Sequence, residues 1–343
     1  ISAGAAGNVV VIFPGLAESG AGHSALLAGS LAGLRTLELA GARPGAAVGY
    51  SLGEITGLVW AGCLPAAEAA RLVAQRGQIL LGCSTGPAAM ARIGADTRAV
   101  RALCAPGRLH IAAYEGPRAQ VVAGSIAGIR DMVRRAEAAG LAAQVLGVAS
   151  AQHSPAMANC TAPLRSVLAG TPFAPPQRRL ISTITGRLTS PGDDIADLLA
   201  RQLSLPVLFG QALTAAAEEG GGSELLEEAG RPGGVQGSGG SMRTDLMVIV
   251  GPDDGLAAVA AGCCGLPAIA LPATKHGTLD ANSVISAQAV AALFAAGAVA
   301  DLAPFLAGPG SMLATGTVPQ MRDAEPQQPL DQALSAIPSA RSA

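Results

Sequence analysis

Residues 46–60 read AAVGYSLGEITGLVW. A short apolar run is followed by a glycine-rich turn, and after the turn the apolar residues recur at the spacing of a helix. Gly49-x-Ser51-x-Gly53 therefore lies between a predicted strand and a predicted helix. There the pattern is typical of a strained turn that presents a nucleophilic serine, because side chains at the glycine positions would collide with the backbone. The helix N-terminus would direct free N–H groups at an oxyanion formed on Ser51. The same pattern can also be a simple strand-to-helix connection.

Regions on either side of this turn predict a two-lobed α/β architecture. Residues 8–13 (NVVVIF) and 246–250 (LMVIV) are continuous apolar runs, which are typical of buried parallel strands. Residues 89–149 show the order strand, helix, strand, strand, helix, strand. That order is the ferredoxin-like β-α-β-β-α-β arrangement, here interrupting a larger α/β layout. Ligand sites favour such junctions, so we expect a functional cleft between the two lobes.

The composition argues against several classes of function. Of 343 residues, 50% are hydrophobic and 13% are charged, and the formal net charge is −2. One Trp, two Tyr and five Phe, with no basic stretch, argue against a nucleic-acid partner. Apolar stretches such as residues 293–306 are interrupted before the ~20 residues that a membrane-spanning helix needs. Since the N-terminus lacks a signal-peptide pattern, we expect a cytoplasmic protein with no membrane partner.

The six cysteines indicate buried thiols rather than a metal site. They lie in contexts rich in Ala, Gly and Leu, with no C-x-x-C pair and no cluster of Cys and His. We therefore expect free, reduced thiols and no metal ligands.

A nucleophilic serine needs a general base, and His153 is the best candidate among the four histidines. It follows a predicted strand end and precedes Ser-Pro, whereas the other three lie in positions more typical of structural or surface residues. Arg76 lies on a largely apolar helix, where a buried guanidinium needs an acidic partner. That partner could be a carboxylate of the protein or the carboxylate of a substrate held in a bidentate pair. The sequence leaves both possibilities open.

A series of short motifs occurs in a fixed order along the chain. They are Phe13-Pro14-Gly15, Gly49-Tyr50-Ser51-Leu52-Gly53-Glu54, Gln75-Arg76-Gly77, Gly116-Pro117, Val121-Val122-Ala123-Gly124, His153-Ser154-Pro155, Pro206-Val207-Leu208-Phe209 and Val250-Gly251-Pro252. Over about residues 8–270 their order and rough spacing resemble the malonyl-CoA:acyl carrier protein transacylase family. The resemblance is greatest to the acyltransferase domains of type I polyketide synthases.

The resemblance implies a fold class and a division of the chain. We expect an α/β protein in which an α/β-hydrolase-like large subdomain carries an inserted ferredoxin-like small subdomain. The large subdomain would comprise residues 1–88 and 150–270, the small one residues 89–149, and a post-acyltransferase linker with a flexible tail residues 271–343.

The resemblance also implies roles for individual residues. Ser51 would attack the thioester of an acyl-CoA, and His153 would accept its proton. A backbone carbonyl near Val250 and Gly251 would orient His153. The backbone N–H groups of Leu52 and Leu16 would form the oxyanion hole, and Arg76 would bind the free carboxylate of a malonyl group.

No permanently bound cofactor is implied. Malonyl-CoA would be the substrate, and the acceptor would be the phosphopantetheine thiol of an acyl carrier protein domain, in a ping-pong reaction. Neighbouring polyketide synthase domains would be the other partners, within a multifunctional enzyme of antibiotic biosynthesis. The composition rich in Ala and Gly, together with Tyr50, suggests an iterative synthase of the enediyne kind.

Four features depart from the family's pattern. Tyr50 replaces the usual His before the nucleophile, and Glu115 replaces the usual Asn before Gly-Pro. Leu16 replaces a Gln, although its proposed oxyanion contact is a main-chain group. The interval from Gly15 to Gly49 is shorter than in the family. This shortening corresponds either to a deleted helical hairpin or to residues that are absent from the sequence.

The pocket residues favour malonyl over methylmalonyl. Leu52 resembles the residue found in malonyl-selective domains, whereas Ser150-Ala151-Gln152-His153 matches neither of the family's two specificity motifs. We expect Tyr50, Ser150, Gln152 and Phe209 to shape the acyl pocket, with Gln152 excluding a methyl branch. One methyl group is worth only ~1–3 kcal/mol of discrimination, so leakage of methylmalonyl is compatible with this pocket.

Two other functions fit the same serine motif. An esterase or thioesterase of the α/β-hydrolase type would need an acidic residue between the serine and a late histidine. Here a ferredoxin-like pattern fills that interval, and its acids lie mostly in helices or turns. The non-enzymatic alternative is a degraded acyltransferase-like domain that serves architecture or carrier docking. It would be expected to have lost Ser51, His153 or Arg76, and all three are present.

Overall fold

The computed structural model describes residues 9–15, 22–39, 42–83, 86–104, 107–219, 244–251, 255–271 and 293. Its strands are β1 (Val9–Phe13), β2 (Ala46–Gly49), β3 (Ala88–Ile93), β4 (Leu109–Gly116), β5 (Ala119–Ser125), β6 (Ala143–Leu146), β7 (Leu180–Ser182), β8 (Arg187–Leu188), β9 (Leu246–Val250) and β10 (Ala268–Leu271). Its α-helices are α1 (His23–Leu39), α2 (Gly53–Trp60), α3 (Ala66–Cys83), α4 (Thr97–Leu103), α5 (Ile126–Ala138), α6 (Thr161–Leu168), α7 (Ile195–Gln202), α8 (Phe209–Glu219) and α9 (Leu256–Cys264).

Six of the described strands form a large sheet in the order β10-β9-β1-β2-β7-β8. The first five are parallel to their neighbours, and β8 joins β7 in the antiparallel direction. Every residue of β1 and β9 is buried, and alternate residues pack into two separate core clusters on opposite faces of the sheet. Burial on both faces explains why these strands are continuous apolar runs, and it confirms them as central parallel strands.

Four strands form a second, antiparallel sheet in the order β4-β5-β3-β6. With α4 and α5 in their places in the chain, the element order is β-α-β-β-α-β. The two inner strands are the first and third of the unit, so both βαβ connections cross over one strand, as the split βαβ pattern requires. The predicted fold class, a large α/β subdomain with an inserted ferredoxin-like sheet, is confirmed.

The two sheets are joined through residue Val207. Its N–H donates to the carbonyl of Ala112 on β4, and its carbonyl accepts from the N–H of Tyr114. The next residue, Leu208, donates to the carbonyl of Thr183, just beyond β7. One short segment therefore hydrogen-bonds to both subdomains.

The predicted bounds of the subdomains at residues 89 and 149 stay a prediction. The predicted linker and tail over residues 271–343 lie outside the described residues, apart from residues 271 and 293. Among the described helices, none combines the length and the apolarity that crossing a membrane would take. Three of the six free cysteines are buried, while Cys104, Cys263 and Cys264 are only partly buried.

Candidate active site

Ser51 lies in the turn between the end of β2 and the start of α2. Its φ is 53°, in the left-handed region that non-glycine residues rarely adopt. A Cβ at Gly49 would lie 2.5 Å from Cα of Glu54, and one at Gly53 would overlap the carbonyl oxygen of Phe13. Both contacts are with backbone, which cannot move aside. The two glycines are therefore what permits this tight elbow, as the sequence predicted.

His153 lies against Ser51, 102 residues away in the chain. The distance from Ser51 Oγ to His153 Nε2 is 2.6 Å, and both side chains are buried. His153 Nδ1 lies 2.9 Å from the backbone carbonyl of Gln202. Because a carbonyl can only accept, Nδ1 carries the proton and Nε2 of a neutral ring is free to accept from the serine. The geometry is that of a nucleophile with its general base.

The expectation that a carbonyl near Val250 and Gly251 orients His153 was wrong. Gln202 is the last residue of α7, and the carbonyls at a helix C-terminus have no intrahelical partner. One of them is therefore available to His153. Gly251 instead packs beside Pro14, whose Cγ would lie 2.7 Å from a Cβ at that glycine.

Gln202 is a site residue that the sequence did not reveal. Besides the contact of its carbonyl with His153, its side-chain Nε2 donates to the carbonyl of Ser51 at 2.8 Å. In the sequence, Gln202 stands out only by lying a few residues before the Pro206-Val207 motif, and this position gives no information about its backbone carbonyl.

Burial is the main cause that lowers the pKa of His153, to about 4, and the positive charge of Arg76 is the second. The contact with Gln202 acts in the opposite direction. At neutral pH the imidazole is therefore uncharged and able to accept a proton from Ser51.

Arg76 lies on α3 with a relative exposure of 2%. Its Nη2 lies 3.5 Å from Oε1 of Gln152, and its Nε has no hydrogen-bond partner in the part of the chain that the structure describes. Among the described residues no carboxylate pairs with this guanidinium, and burial lowers its pKa to about 10. A buried, charged and unpaired guanidinium is costly for a folded protein. The environment of the Arg76 guanidinium is therefore suited to an acidic ligand, which the described part of the chain does not supply.

Other predicted site residues surround this centre. Gln152 contacts Arg76 and also donates to Oγ of Ser150 at 2.9 Å. Leu52 precedes the first residue of α2, and no side chain caps that helix N-terminus. The second expected oxyanion residue, Leu16, lies outside the described residues.

Tyr50 and Phe209 are both buried and pack edge to face, with ring centroids 5.0 Å apart. The hydroxyl of Tyr50 donates to Oε1 of Glu115 at 2.9 Å. Burial first, and then the charge of Glu115, raise the pKa of Tyr50 well above its usual value, so the phenol stays protonated. The side chain is therefore directed towards the small sheet. A direct contact of Tyr50 or Phe209 with the acyl group stays a prediction.

The comparisons with known proteins agree with this geometry. Residues 20–224, more than half of the chain, match the family described as acyl transferase domain. Polyketide synthase GfsA of Streptomyces halstedii is 35% identical over 224 residues, which are 64% of this chain and 3% of that protein. Mycoketide-CoA synthase of Mycobacterium tuberculosis is 34% identical over 52% of this chain and 4% of its own length. The chain thus spans only a small part of these relatives.

Solved structures show the same fold. The acyltransferase domain of an iterative polyketide synthase in enediyne biosynthesis has a TM-score of 0.69 and 34% identity, covering 89% of this chain and 75% of its own. An acyl-carrier-protein S-malonyltransferase from Burkholderia pseudomallei has a TM-score of 0.63 at 24% identity, covering 77% and 95%. The resemblance inferred from the motifs is confirmed, and the chain belongs to the acyl transferase domain family.

Proposed function

We propose that this domain transfers a malonyl group from malonyl-CoA to the phosphopantetheine thiol of an acyl carrier protein, through an ester on Ser51. The observation that carries the proposal is that Ser51 and His153 are 2.6 Å apart, while beside them lies a buried guanidinium that has no carboxylate partner among the described residues. The serine and histidine can form and break the ester. The guanidinium of Arg76 suits an acyl group that ends in a carboxylate.

In the first half-reaction Oγ of Ser51 attacks the thioester carbonyl carbon, and its proton passes to Nε2 of His153. The oxyanion forms at the N-terminus of α2, where the N–H of Leu52 can donate to it. The family resemblance implies the N–H of Leu16 as the second donor. The C–S bond then breaks, and CoA leaves as a thiol with the proton from His153. The resulting imidazole is neutral again.

In the second half-reaction the thiol of the carrier's phosphopantetheine gives its proton to His153 and attacks the ester carbonyl. The bond to Ser51 breaks, and Oγ takes the proton back. The enzyme returns to its starting state, so the turnover is ping-pong. No cofactor is required at either stage.

Selectivity for malonyl is part of the proposal. Gln152 lies between Arg76 and Ser150, within hydrogen-bond distance of both. A carboxylate paired with Arg76 would bring the α-carbon of the acyl group close to this side chain. A methyl branch at that carbon would compete with Gln152 for space, which favours malonyl over methylmalonyl.

The proposal extends to the protein that contains this domain. The similarity to polyketide synthases, and to an acyltransferase domain of an iterative synthase in enediyne biosynthesis, supports a place in a multidomain iterative synthase. Its partners would then be a carrier protein domain and the neighbouring synthase domains.

The contacts of His153 argue against an α/β-hydrolase mechanism. Its Nδ1 contacts a main-chain carbonyl, whereas the triad of a hydrolase places a carboxylate there. The intact pairing of Ser51 and His153 likewise argues against a degraded domain.

Mass spectrometry of the intact protein tests the function directly. After a brief incubation with malonyl-CoA, we expect one malonyl group on Ser51, absent from the Ser51→Ala variant, that moves to a phosphopantetheinylated carrier protein when it is added. Rapid release of free malonate without an adduct would indicate a hydrolase instead. No reaction at all would indicate a degraded domain.

A further inference from the structure

A buried chain of three polar side chains connects the catalytic turn to the small sheet. The hydroxyl of Tyr50 lies 2.9 Å from Oε1 of Glu115. The same carboxylate accepts two hydrogen bonds from Arg92, from Nε at 2.5 Å and from Nη2 at 3.0 Å. Glu115 is fully buried, and only 11% of the Arg92 side chain is exposed. This bidentate pair holds the carboxylate in one orientation.

A bulge in β4 directs Glu115 towards Tyr50. Along the pairing of β4 with β5, Tyr114 is opposite Gln120 and Gly116 is opposite Ala119, so Glu115 is the extra residue. An extra residue leaves the strand's regular alternation and re-aims its side chain. Here the carboxylate accepts from the hydroxyl of Tyr50, the residue before Ser51.

Both the main chain and the ring of Tyr50 are held by contacts with the large subdomain. Its N–H donates to the carbonyl of Phe13, its own carbonyl accepts from Gly53, and its ring packs against Phe209. From the small sheet, Glu115 accepts the hydrogen bond of the Tyr50 hydroxyl. The next residue is Ser51, whose left-handed backbone is kept in place only by its surroundings.

We propose that Tyr50, Glu115 and Arg92 are positioning residues for Ser51, through which the small subdomain holds the nucleophile at the distance from His153 that acyl transfer needs. Tyr50 and Glu115 are two of the positions at which the sequence departs from the family's pattern, and the structure brings them into contact. The inference rests on the proposed function, because it assumes that Ser51 is the nucleophile. None of the three residues exchanges protons with the substrate.

The test uses paired variants that each change one polar group. Tyr50→Phe deletes only the hydroxyl and leaves Glu115 paired with Arg92, so we expect the fold to persist. Glu115→Gln keeps the shape and removes the charge. Tyr114→Phe is the matched control, because Tyr114 is the chain's other tyrosine, precedes Glu115 on β4 and accepts at its hydroxyl from Nη2 of Arg101 at 3.4 Å.

Two rates are measured on each variant. One is the single-turnover rate of malonyl loading over a range of malonyl-CoA concentrations. The other is the rate of sulfonylation of Ser51 by phenylmethylsulfonyl fluoride, which needs a well-placed serine but no acyl-CoA. Thermal unfolding of the same samples measures stability separately.

We expect Tyr50→Phe to slow both reactions by about tenfold, with the half-saturating malonyl-CoA concentration within about twofold of the wild type. Glu115→Gln should also be slower, and the double variant should be no slower than about tenfold, because both changes break one connection. Tyr114→Phe should match the wild type.

The proposal is overturned if both single variants react at the wild-type rate, whether or not their unfolding temperature falls. It is also overturned if the two effects simply multiply. A third outcome separates the two proposals. If the wild type takes up no malonyl but Tyr50→Phe still slows the sulfonylation of Ser51, the proposed function is refuted and the positioning role is supported.

Discussion

Replacing Arg76 with alanine should lower the rate of malonyl loading on Ser51 by about two to four orders of magnitude. Arg76 is 2% exposed and has no carboxylate partner among the described residues, so a malonyl carboxylate would form a buried ion pair with it. Removing one partner of such a pair typically costs about 3–5 kcal/mol. At about 1.4 kcal/mol per factor of ten, that range gives the expected loss.

Acetyl loading should respond in the opposite way. An acetyl group has no carboxylate, and in the wild type it would leave the guanidinium of Arg76 buried and unpaired. Arg76→Ala removes that unfavourable charge, so the rate with acetyl-CoA should be unchanged or higher. The assay is rapid quenching followed by intact-protein mass spectrometry with each acyl-CoA in turn.

Arg71→Ala is the matched control for this experiment. Arg71 lies on the same helix, α3, but is exposed and pairs with Glu68 at 2.6 Å. We expect no change in either rate with this variant. An equal loss of malonyl and acetyl loading in Arg76→Ala would show that Arg76 is structural, and the reasoning from its missing partner would be refuted.

Three further predictions concern acidity and packing. Because the pKa of His153 is lowered to about 4, its neutral form persists in acid. In a pH profile of the malonyl loading rate, the fall on the acid side should therefore be centred near pH 4. A fall centred near pH 6.5 would contradict the burial argument. Gly53→Ala should unfold the protein or lower its melting temperature by at least about 10 °C, because the new Cβ overlaps the carbonyl of Phe13. Gly82 has open space around it, so the control variant Gly82→Ala should raise the free energy of unfolding by about 0.5–1 kcal/mol. Burial raises the pKa of the Glu54 carboxyl from 4.5 to about 7, so the folded state binds this proton more tightly than the unfolded state does. The protonated group therefore stabilises the fold fully below pH 4.5, and this contribution is lost as the pH rises through 7. The stability of Glu54→Gln relative to the wild type, measured by urea unfolding, should therefore increase between pH 5 and pH 8, and a difference independent of pH would refute the shift.

The strands and the catalytic turn could be predicted from local sequence, since their causes are local. A strand buried on both faces has to be apolar throughout, and residues 246–250 satisfy this by themselves. The two glycines of the turn are required by backbone contacts within a few residues and with the adjoining strand end. The order of elements in residues 88–146 likewise follows from alternating periodicity.

The partners of the site residues depended on tertiary structure. The carbonyl that contacts His153 belongs to Gln202, and because every residue has a carbonyl, the sequence contains no sign of which one is free and nearby. Glu115, which accepts from Tyr50, lies at a bulge of β4 that the sequence pattern does not reveal. Side-chain chemistry and periodicity are properties of the sequence, but which atoms come within 3 Å is set by how the helix ends and strand irregularities pack together.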